Sequence, residues 1–278
     1  MMLPLRSAGV SDVGRKRKHN EDAHLANDEL GLFVVADGMG GHAAGEVASA
    51  EAIDQIVGMV RRGYGVVEEL NTTTNLEEGR LAVRRMLESA VQAATYMIFG
   101  IAEQSPKQKG MGTTISTLLL TPSRAFVAQV GDSRVYRYRD ASVEQLTEDH
   151  TLVQEQVKLG LISEEEARTS KMGNMITRAV GIHDYVQVDT FDFPLENSDR
   201  FMLCSDGLCG YLVTPEELLP HFAHEDLQLG AQGMIDFANE RGGKDNITAI
   251  VVEWIGEPPK KGASKILSWF RKSKPDET

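Results

Sequence analysis

Short runs of apolar residues, many of them β-branched, recur along the chain. Runs of about four to eight such residues, bounded by turn-forming residues, are typical of β-strands. Six segments have this pattern: residues 32–36, 115–120, 125–130, 134–138, 200–204 and 247–254. The sequence therefore predicts a β-rich core.

Two longer segments, 43–60 and 81–103, have apolar residues at the spacing of an amphipathic helix. In the first segment, Ile53, Ile56 and Val60 fall on one face. A helix with one apolar face packs that face on a core. We therefore expect both helices to cover a sheet.

The segments outside these helices differ in character. Residues 61–79 contain three glycines and no apolar periodicity, which predicts an exposed loop. Residues 151–168 are again helical in pattern, with a turn at Gly160 and then Ser163 followed by three glutamates. Because serine is a favoured N-cap and acids are favoured in the first turn, this region predicts a small helical flap.

Composition indicates one compact globular domain, since 41% of the residues are hydrophobic and 25% are charged. The formal net charge of −12 argues against nucleic acid as a partner, because binding to the phosphate backbone needs a basic surface.

Cys204 and Cys209 lack the second ligand pair of a structural zinc site. We expect them to be buried free thiols.

No stretch reaches the ~18 consecutive apolar residues of a membrane span, so a cytoplasmic protein is expected.

The composition changes after Trp254, and residues 260–274 carry six basic residues and no acid. We expect a folded domain over 1–256 and a flexible basic tail over 257–278. An amphipathic helix in this tail that docks on a partner or an acidic membrane is the alternative.

Four aspartates occupy comparable places beside the predicted strands. Asp37, Asp132 and Asp206 follow strands, and Asp245 precedes one. In an antiparallel sheet the end of one strand lies beside the start of its neighbour, so the four side chains are expected to meet at one edge. Four carboxylates so placed would repel one another unless cations neutralise them. The sequence therefore predicts a metal cluster, although Asp-Gly pairs also occur in ordinary turns.

Oxygen ligands without histidine or cysteine favour Mg²⁺ or Mn²⁺. Two such ions about 3.5–4 Å apart can lower the pKa of a bridging water and position it to attack phosphorus. Upstream, the basic run Arg15 to Lys18 leads into Glu21 and Asp22. One of these cations could hold a phosphate, and arginine suits that role best because its planar guanidinium binds two oxygens at once. A solvated basic turn is the alternative.

Six motifs occur in order and closely resemble those of the metal-dependent protein phosphatases of the type 2C class, over about residues 7–254. They are Arg17-Lys18-His19-Asn20-Glu21-Asp22, Ala36-Asp37-Gly38-Met39-Gly40-Gly41-His42, Gly110-Met111-Gly112-Thr113-Thr114, Val130-Gly131-Asp132-Ser133-Arg134, Cys204-Ser205-Asp206-Gly207-Leu208 and Gly243-Lys244-Asp245-Asn246-Ile247-Thr248. The resemblance implies an α+β fold. Its form is a four-layer αββα sandwich of two antiparallel sheets flanked by helices, with a flap at about 151–174.

The resemblance also implies metal ligands. Asp37 resembles the carboxylate that bridges two ions, and Gly38 the residue whose carbonyl binds one of them. Asp206 and Asp245 resemble ligands of the other ion. Asp132 resembles a ligand of the third ion found in bacterial members.

Other residues of the motifs resemble groups that act on water and substrate. Arg17 resembles the arginine that grips the substrate phosphate. Glu21 and Asp22 resemble groups that bind the waters on the metals and orient the nucleophile. Eukaryotic relatives place a histidine after the Asp-Gly pair as a proposed general acid, whereas this chain has Met39. His42 is the nearby alternative donor.

The implied function is a bacterial serine/threonine protein phosphatase that uses Mn²⁺ or Mg²⁺ and attacks phosphoproteins directly with water. Its implied partners are phosphoproteins and a Ser/Thr kinase with its targets, and we expect a monomer. Two other functions are considered. An inactive phosphatase-like module would be expected to have lost its metal ligands, and a small-molecule phosphoesterase would need an apolar or aromatic pocket.

Overall fold

The computed structural model describes residues 3–40 and 44–256. Within these residues the chain forms eleven β-strands: β1 (Leu5–Asp12), β2 (Asp22–Asn27), β3 (Leu32–Met39), β4 (Gly112–Thr113), β5 (Ile115–Leu120), β6 (Arg124–Val130), β7 (Arg134–Arg139), β8 (Ser142–Gln145), β9 (Asp189–Pro194), β10 (Arg200–Cys204) and β11 (Ile247–Trp254). All six segments that were predicted to be strands lie in strands.

The same residues form eight α-helices: α1 (Ala44–Gly63), α2 (Gly65–Leu70), α3 (Leu76–Gln104), α4 (Leu152–Lys158), α5 (Glu164–Thr169), α6 (Asp206–Cys209), α7 (Leu219–Phe222) and α8 (Leu227–Glu240). A 3-10 turn at Pro215–Leu218 leads into α7. Of these helices, none is both long and apolar enough to cross a membrane.

The strands form two antiparallel sheets. Sheet A has the order β1-β11-β10-β7-β8, and sheet B has the order β2-β3-β5-β6-β9 with the short β4 paired to β3. The two sheets face each other across a buried cluster that includes Phe33, Leu118, Phe201 and Ile250. This cluster is the central core of the sandwich.

Each outer face of the sandwich is covered by helices. Helices α1 and α3 pack on sheet B, where Ile56 and Leu87 contribute to a second core cluster. Helix α8 packs on β1 and β11 of sheet A, and Met234 and Ile235 are buried there. The fold is therefore an α+β four-layer αββα sandwich, as the resemblance implied.

The prediction of an exposed loop over residues 61–79 was wrong. The segment contains helix α2, whose Val67 and Leu70 are buried, and helix α3 begins at Leu76. Only two side chains of α2 are buried, while Val66 is partly buried against the same core, and so short a segment gives no clear periodic pattern. Asn75 starts α3 by accepting a hydrogen bond from the backbone N–H of Glu78.

The helical pattern predicted for residues 151–168 is confirmed, since this region forms two short helices, α4 and α5. Ser163 caps α5 through a capping box in which the Glu166 side chain accepts a hydrogen bond from the serine backbone N–H. Cys204 and Cys209 are buried free thiols, also as predicted. The tail 257–278 and His42 lie outside the described residues.

Candidate active site

A cavity of about 300 Å³ opens where sheets A and B end together. It contains seven of the eight residues that the sequence singled out: Arg17, Glu21, Asp37, Gly38, Asp132, Asp206 and Asp245. The eighth, Asp22, pairs with Asp37 in the register of β2 and β3 and lies behind the cavity. Residues from separate motifs are thus brought to one place.

The four aspartates come from both sheets, which differs from the expected single sheet edge. Asp37 lies near the end of β3 and Asp132 follows β6, both in sheet B. Asp206 follows β10 and Asp245 precedes β11, both in sheet A. Strand periodicity carries no information on how two sheets face each other. The cluster itself was therefore predictable from the sequence, whereas its position between two sheets was not.

Three aspartates that line the cavity, Asp37, Asp132 and Asp206, are buried or partly buried, and the pKa values of their carboxyl groups are raised. Burial, with the nearby charges of Asp22 and Asp206, raises the pKa of Asp37 well above its usual range. Burial and the charge of Asp206 raise the pKa of Asp132 to about 7. Burial and the charge of Asp245 raise the pKa of Asp206. This electrostatic arrangement favours a bound cation, which would offset the repulsion.

Asp22 lies behind the cavity, close to the aspartates that line it. Its Oδ2 accepts hydrogen bonds from Ser205 Oγ at 2.7 Å and from Thr248 Oγ1 at 2.6 Å. Burial raises the pKa of Asp22 to about 7 despite these two hydroxyl donors. Its Oδ1 and the Oδ1 of Asp206 are buried and have no hydrogen-bond partner among the described residues. Buried oxygens of this kind require a partner, and a cation or its water would provide one.

The carboxylates share a cavity but do not by themselves enclose an ion. Among residues 3–40 and 44–256, no group of three or more histidine, cysteine, aspartate or glutamate side chains is arranged closely enough to hold a metal ion. The donor set is all-oxygen and suited to Mn²⁺ or Mg²⁺.

Gly38 is required by close packing. A Cβ at this position would lie 2.1 Å from the carbonyl oxygen of Gly45 in α1 and 2.5 Å from that of Glu21. The Gly38 N–H also donates to the Glu21 carbonyl at 3.1 Å. The backbone of Gly38 is thus held between α1 and the start of β2, and the residue lines the cavity.

Arg17 enters the cavity from the loop between β1 and β2. Its Nη2 donates to Asp245 Oδ2 at 2.7 Å, and its side chain is 48% exposed. The hydrogen bond to Asp245 raises the pKa of the guanidinium. The group is therefore charged, partly solvated and directed at the carboxylate cluster, where it can bind an anion.

Asn246 belongs to one of the six motifs, but no role was predicted for it from the sequence. Its side chain donates to the carbonyls of Val13 and His19 at 3.0 and 2.9 Å, and accepts from the Glu21 N–H at 2.8 Å. It is 4% exposed. Asn246 therefore fixes both ends of the loop that carries Arg17. The sequence offered one indication of a role for Asn246, which is its position directly after Asp245.

His150 is another residue for which the sequence predicted no definite role. Its Nδ1 accepts a hydrogen bond from the Gly131 N–H at 3.1 Å, so the ring proton resides on Nε2, which lies 3.1 Å from Asp189 Oδ2. Burial lowers the pKa of this imidazole. His150 thereby holds the turn that precedes Asp132 against the base of the flap.

The flap borders the cavity. A neighbouring cavity of about 280 Å³ shares Asn174 and three of the aspartates with the first and extends to Gly173 of the flap and to Lys244. Met39 lines the first cavity at the position where eukaryotic relatives have a histidine. The site is thus an open cleft with the flap along one side.

Comparison with known proteins assigns the family. The model of the protein phosphatase 2C family matches residues 13–236. The serine/threonine phosphatase stp of Listeria innocua is 38% identical over 248 residues, covering 87% of this chain and 93% of that protein. The chain therefore belongs to the protein phosphatase 2C family.

Solved structures agree with this assignment. The crystal structure of the Mycobacterium tuberculosis serine/threonine phosphatase PstP/Ppp matches with a TM-score of 0.79 and 34% identity, covering 91% of this chain and 99% of that one. The catalytic domain of PstP, solved in complex with two manganese ions, matches with a TM-score of 0.73 and 34% identity over 90% of this chain and 97% of that one.

Proposed function

We propose that this protein is a metal-dependent serine/threonine protein phosphatase that hydrolyses phosphoserine and phosphothreonine monoesters with water. The observation that carries this proposal is the meeting of one partly exposed arginine, Arg17, with four aspartates in a single cleft. Such a site combines a group that binds phosphate with groups that bind cations. The family assignment supports the same reaction.

In this proposal Asp37, the carbonyl of Gly38, Asp206 and Asp245 would hold two cations, and Asp132 would hold a third. The fit is supported by the raised pKa values of Asp37, Asp132 and Asp206, and by the buried, unpartnered oxygen of Asp206 in the described part of the chain. Two Mn²⁺ or Mg²⁺ ions bound here would supply a water of lowered pKa as the nucleophile.

The remaining steps rest on residues of this chain. Arg17 binds two oxygens of the substrate phosphate through its planar guanidinium and so orients phosphorus in the cleft. To do so it must release Asp245, which it now contacts at 2.7 Å. Glu21 lines the cleft, where it accepts a hydrogen bond from water and fixes its direction of attack. Asp22 acts from behind the cleft, where it is held by Ser205 and Thr248.

The cleft favours a phosphorylated protein side chain over a nucleotide. Among the described residues, the cavity around Arg17 has Met39 and Ile176 in its lining but no aromatic residue, and the adjoining cavity has a single aromatic residue, Tyr211. A nucleotide base would need an apolar or aromatic surface on which to bind. We therefore assign phosphoproteins as substrates, with a bacterial Ser/Thr kinase and its targets as partners, and residues 1–256 as the catalytic domain.

The test compares the wild type with Asp206→Asn in Mn²⁺-dependent hydrolysis of a phosphothreonine peptide. Asp206→Asn should remain folded by circular dichroism and lose turnover by orders of magnitude, because one oxygen ligand and its charge are removed. Asp54→Asn, an exposed change on α1, is the matched control and should behave as wild type.

Two results would contradict the proposal. One is undiminished turnover by the Asp206→Asn protein. The other is a wild-type enzyme that hydrolyses ATP with a higher kcat/KM than any phosphopeptide, which would favour the small-molecule phosphoesterase.

A further inference from the structure

The loop between β1 and β2, which contributes Arg17 to the cleft, carries a concentration of positive charge. Residues 15–19, here called the basic loop, are Arg15, Lys16, Arg17, Lys18 and His19, and all five are exposed. The whole chain has a net charge of −12. The proposed reaction uses only Arg17, so the other cations of the basic loop need a separate explanation.

The basic loop is held in place by buried contacts. Asn246 binds the carbonyls on both sides of it, at Val13 and His19. The Arg15 N–H donates to the Gly243 carbonyl at 2.7 Å. Just before the loop, a Cβ on Gly14 would lie 2.1 Å from the Asp245 carbonyl oxygen, so the backbone packs against the segment that carries a candidate metal ligand. The basic side chains of the loop therefore extend from a backbone that is held in one position.

Most cations of this loop form no ion pair within the described part of the chain, where only Arg17 of the loop has a carboxylate partner. Arginines elsewhere are commonly paired, as in Arg134 with Asp149 and Arg139 with Asp199. Lys16 and Lys18 lie on either side of Arg17 and remain available to an external anion.

The spacing of the loop suits a peptide. Consecutive Cα atoms are ~3.8 Å apart, and an extended peptide advances about 3.3–3.6 Å per residue. With the phosphate on Arg17, Lys16 and Lys18 can reach groups about two to four residues from the phosphorylated one. These distances are near the Debye length of about 8–10 Å at physiological salt, so the attraction is only partly screened.

We infer that the basic loop binds a second anionic group on the substrate, so that the enzyme prefers phosphorylated residues flanked by further negative charge. This inference rests on the proposed phosphatase function. The second group is a carboxylate of a neighbouring acidic residue or a second phosphate, since both are anionic oxygen clusters that lysine binds.

The experiment measures kcat/KM for three phosphothreonine peptides of equal length. One has glutamates about two to four residues from the phosphothreonine on each side, one has glutamines at those positions, and one has a second phosphothreonine about three residues away. For the wild type at low salt we expect about a fivefold to tenfold preference for one or both anionic peptides over the glutamine peptide, which is the scale of a few exposed ion pairs. A higher salt concentration should reduce this preference, because it screens the attraction between the lysines and the anionic groups.

The variant Lys16→Gln/Lys18→Gln should lose most of this preference while its activity on p-nitrophenyl phosphate, which has no flanking residues, stays at the wild-type level. Arg61→Gln/Arg62→Gln is the control, because it also removes two positive charges. These arginines lie in the last turn of α1, at the opposite end of that helix from Gly45, which packs on Gly38.

Equal kcat/KM for all three peptides in the wild type would overturn the inference, as would a preference that survives in the lysine variant. Failure of the proposed function would instead appear as no hydrolysis of any peptide.

Discussion

Arg17 Nη2 lies 2.7 Å from Asp245 Oδ2, so the candidate phosphate-binding group and a candidate metal ligand are paired with each other. The pair is about half exposed at the arginine and one-third exposed at the aspartate, with side-chain exposures of 48% and 33%. This ion pair must break when Arg17 binds phosphate or when Asp245 binds a cation. Binding of a cation to Asp245 should therefore free Arg17 for phosphate.

Replacement of Arg17 should separate substrate binding from metal binding. We expect Arg17→Ala to raise KM for a phosphothreonine peptide by about tenfold to a hundredfold, since charge-assisted hydrogen bonds contribute ~1.5–3 kcal/mol. Mn²⁺ affinity, measured by calorimetry, should be unchanged or higher because Asp245 loses a competitor. An unaltered KM would move the phosphate contact to another residue.

Asn246 should act on substrate binding through the loop that carries Arg17. Asn246→Ala removes three hydrogen bonds to backbone groups and should lower the free energy of unfolding by about 1–3 kcal/mol, as expected for buried polar groups left without partners. In urea unfolding and steady-state assays we expect both lower stability and a raised KM. A variant that loses stability but keeps the wild-type KM would show that Asn246 does not position Arg17.

Gly38 and Gly100 offer a matched pair of glycine substitutions. Gly38→Ala places a methyl group 2.1 Å from the Gly45 carbonyl oxygen and should lower the melting temperature sharply. Gly100 lies within α3, where an added Cβ would meet no atom within 4 Å, so Gly100→Ala should stabilise the protein by about 0.5–1 kcal/mol. Equal effects of the two changes in thermal unfolding would contradict the packing described for Gly38.

Asp192 should make a stability contribution that depends on pH. Its buried carboxylate joins β9 to three arginines, Arg80, Arg84 and Arg124. Burial alone would raise the pKa of Asp192, but these arginines outweigh it and lower the pKa below its usual value. Because the folded-state pKa is depressed, the stabilisation is present above the unfolded pKa of about 3.9 and is lost as pH falls through the folded one.

The corresponding measurement is urea unfolding of wild type and Asp192→Asn at several pH values. Asp192→Asn should cost about 3–5 kcal/mol at pH 7, and the difference should shrink as the pH falls below ~4. Glu77→Gln removes a surface partner of Arg80 whose side chain is 81% exposed, and should cost less than about 1 kcal/mol. A difference between wild type and Asp192→Asn that stays constant down to about pH 3 would contradict the ion-pair explanation.

The sequence predicted those parts of the fold in which local pattern and tertiary environment agree. All six residues of Ile115–Leu120 are buried, and the apolar run was assigned correctly as a strand. Strands β1 and β2 were not predicted, because their small and polar residues are mostly half-buried and give no apolar run. Helix α2 was missed because it is short and buries only Val67 and Leu70.

The candidate site was predictable as a set of residues but not as an arrangement. Acidic motifs beside strands identified the residues that line the cleft, and their roles remain predictions. The contribution of both sheets could not be inferred, because strand period describes only the two faces of one sheet. The contacts of Asn246 with Val13 and His19 join residues that are 233 and 227 positions apart, and no local pattern reports them.

The central claim is that Asp37, Gly38, Asp206 and Asp245 hold two cations in the cleft between the sheets. The most direct measurement is a crystal grown with Mn²⁺, with anomalous diffraction data collected at the manganese edge. We expect at least two strong anomalous peaks in contact with these four residues. An active, Mn²⁺-loaded crystal whose cleft shows no anomalous peak would contradict the claim.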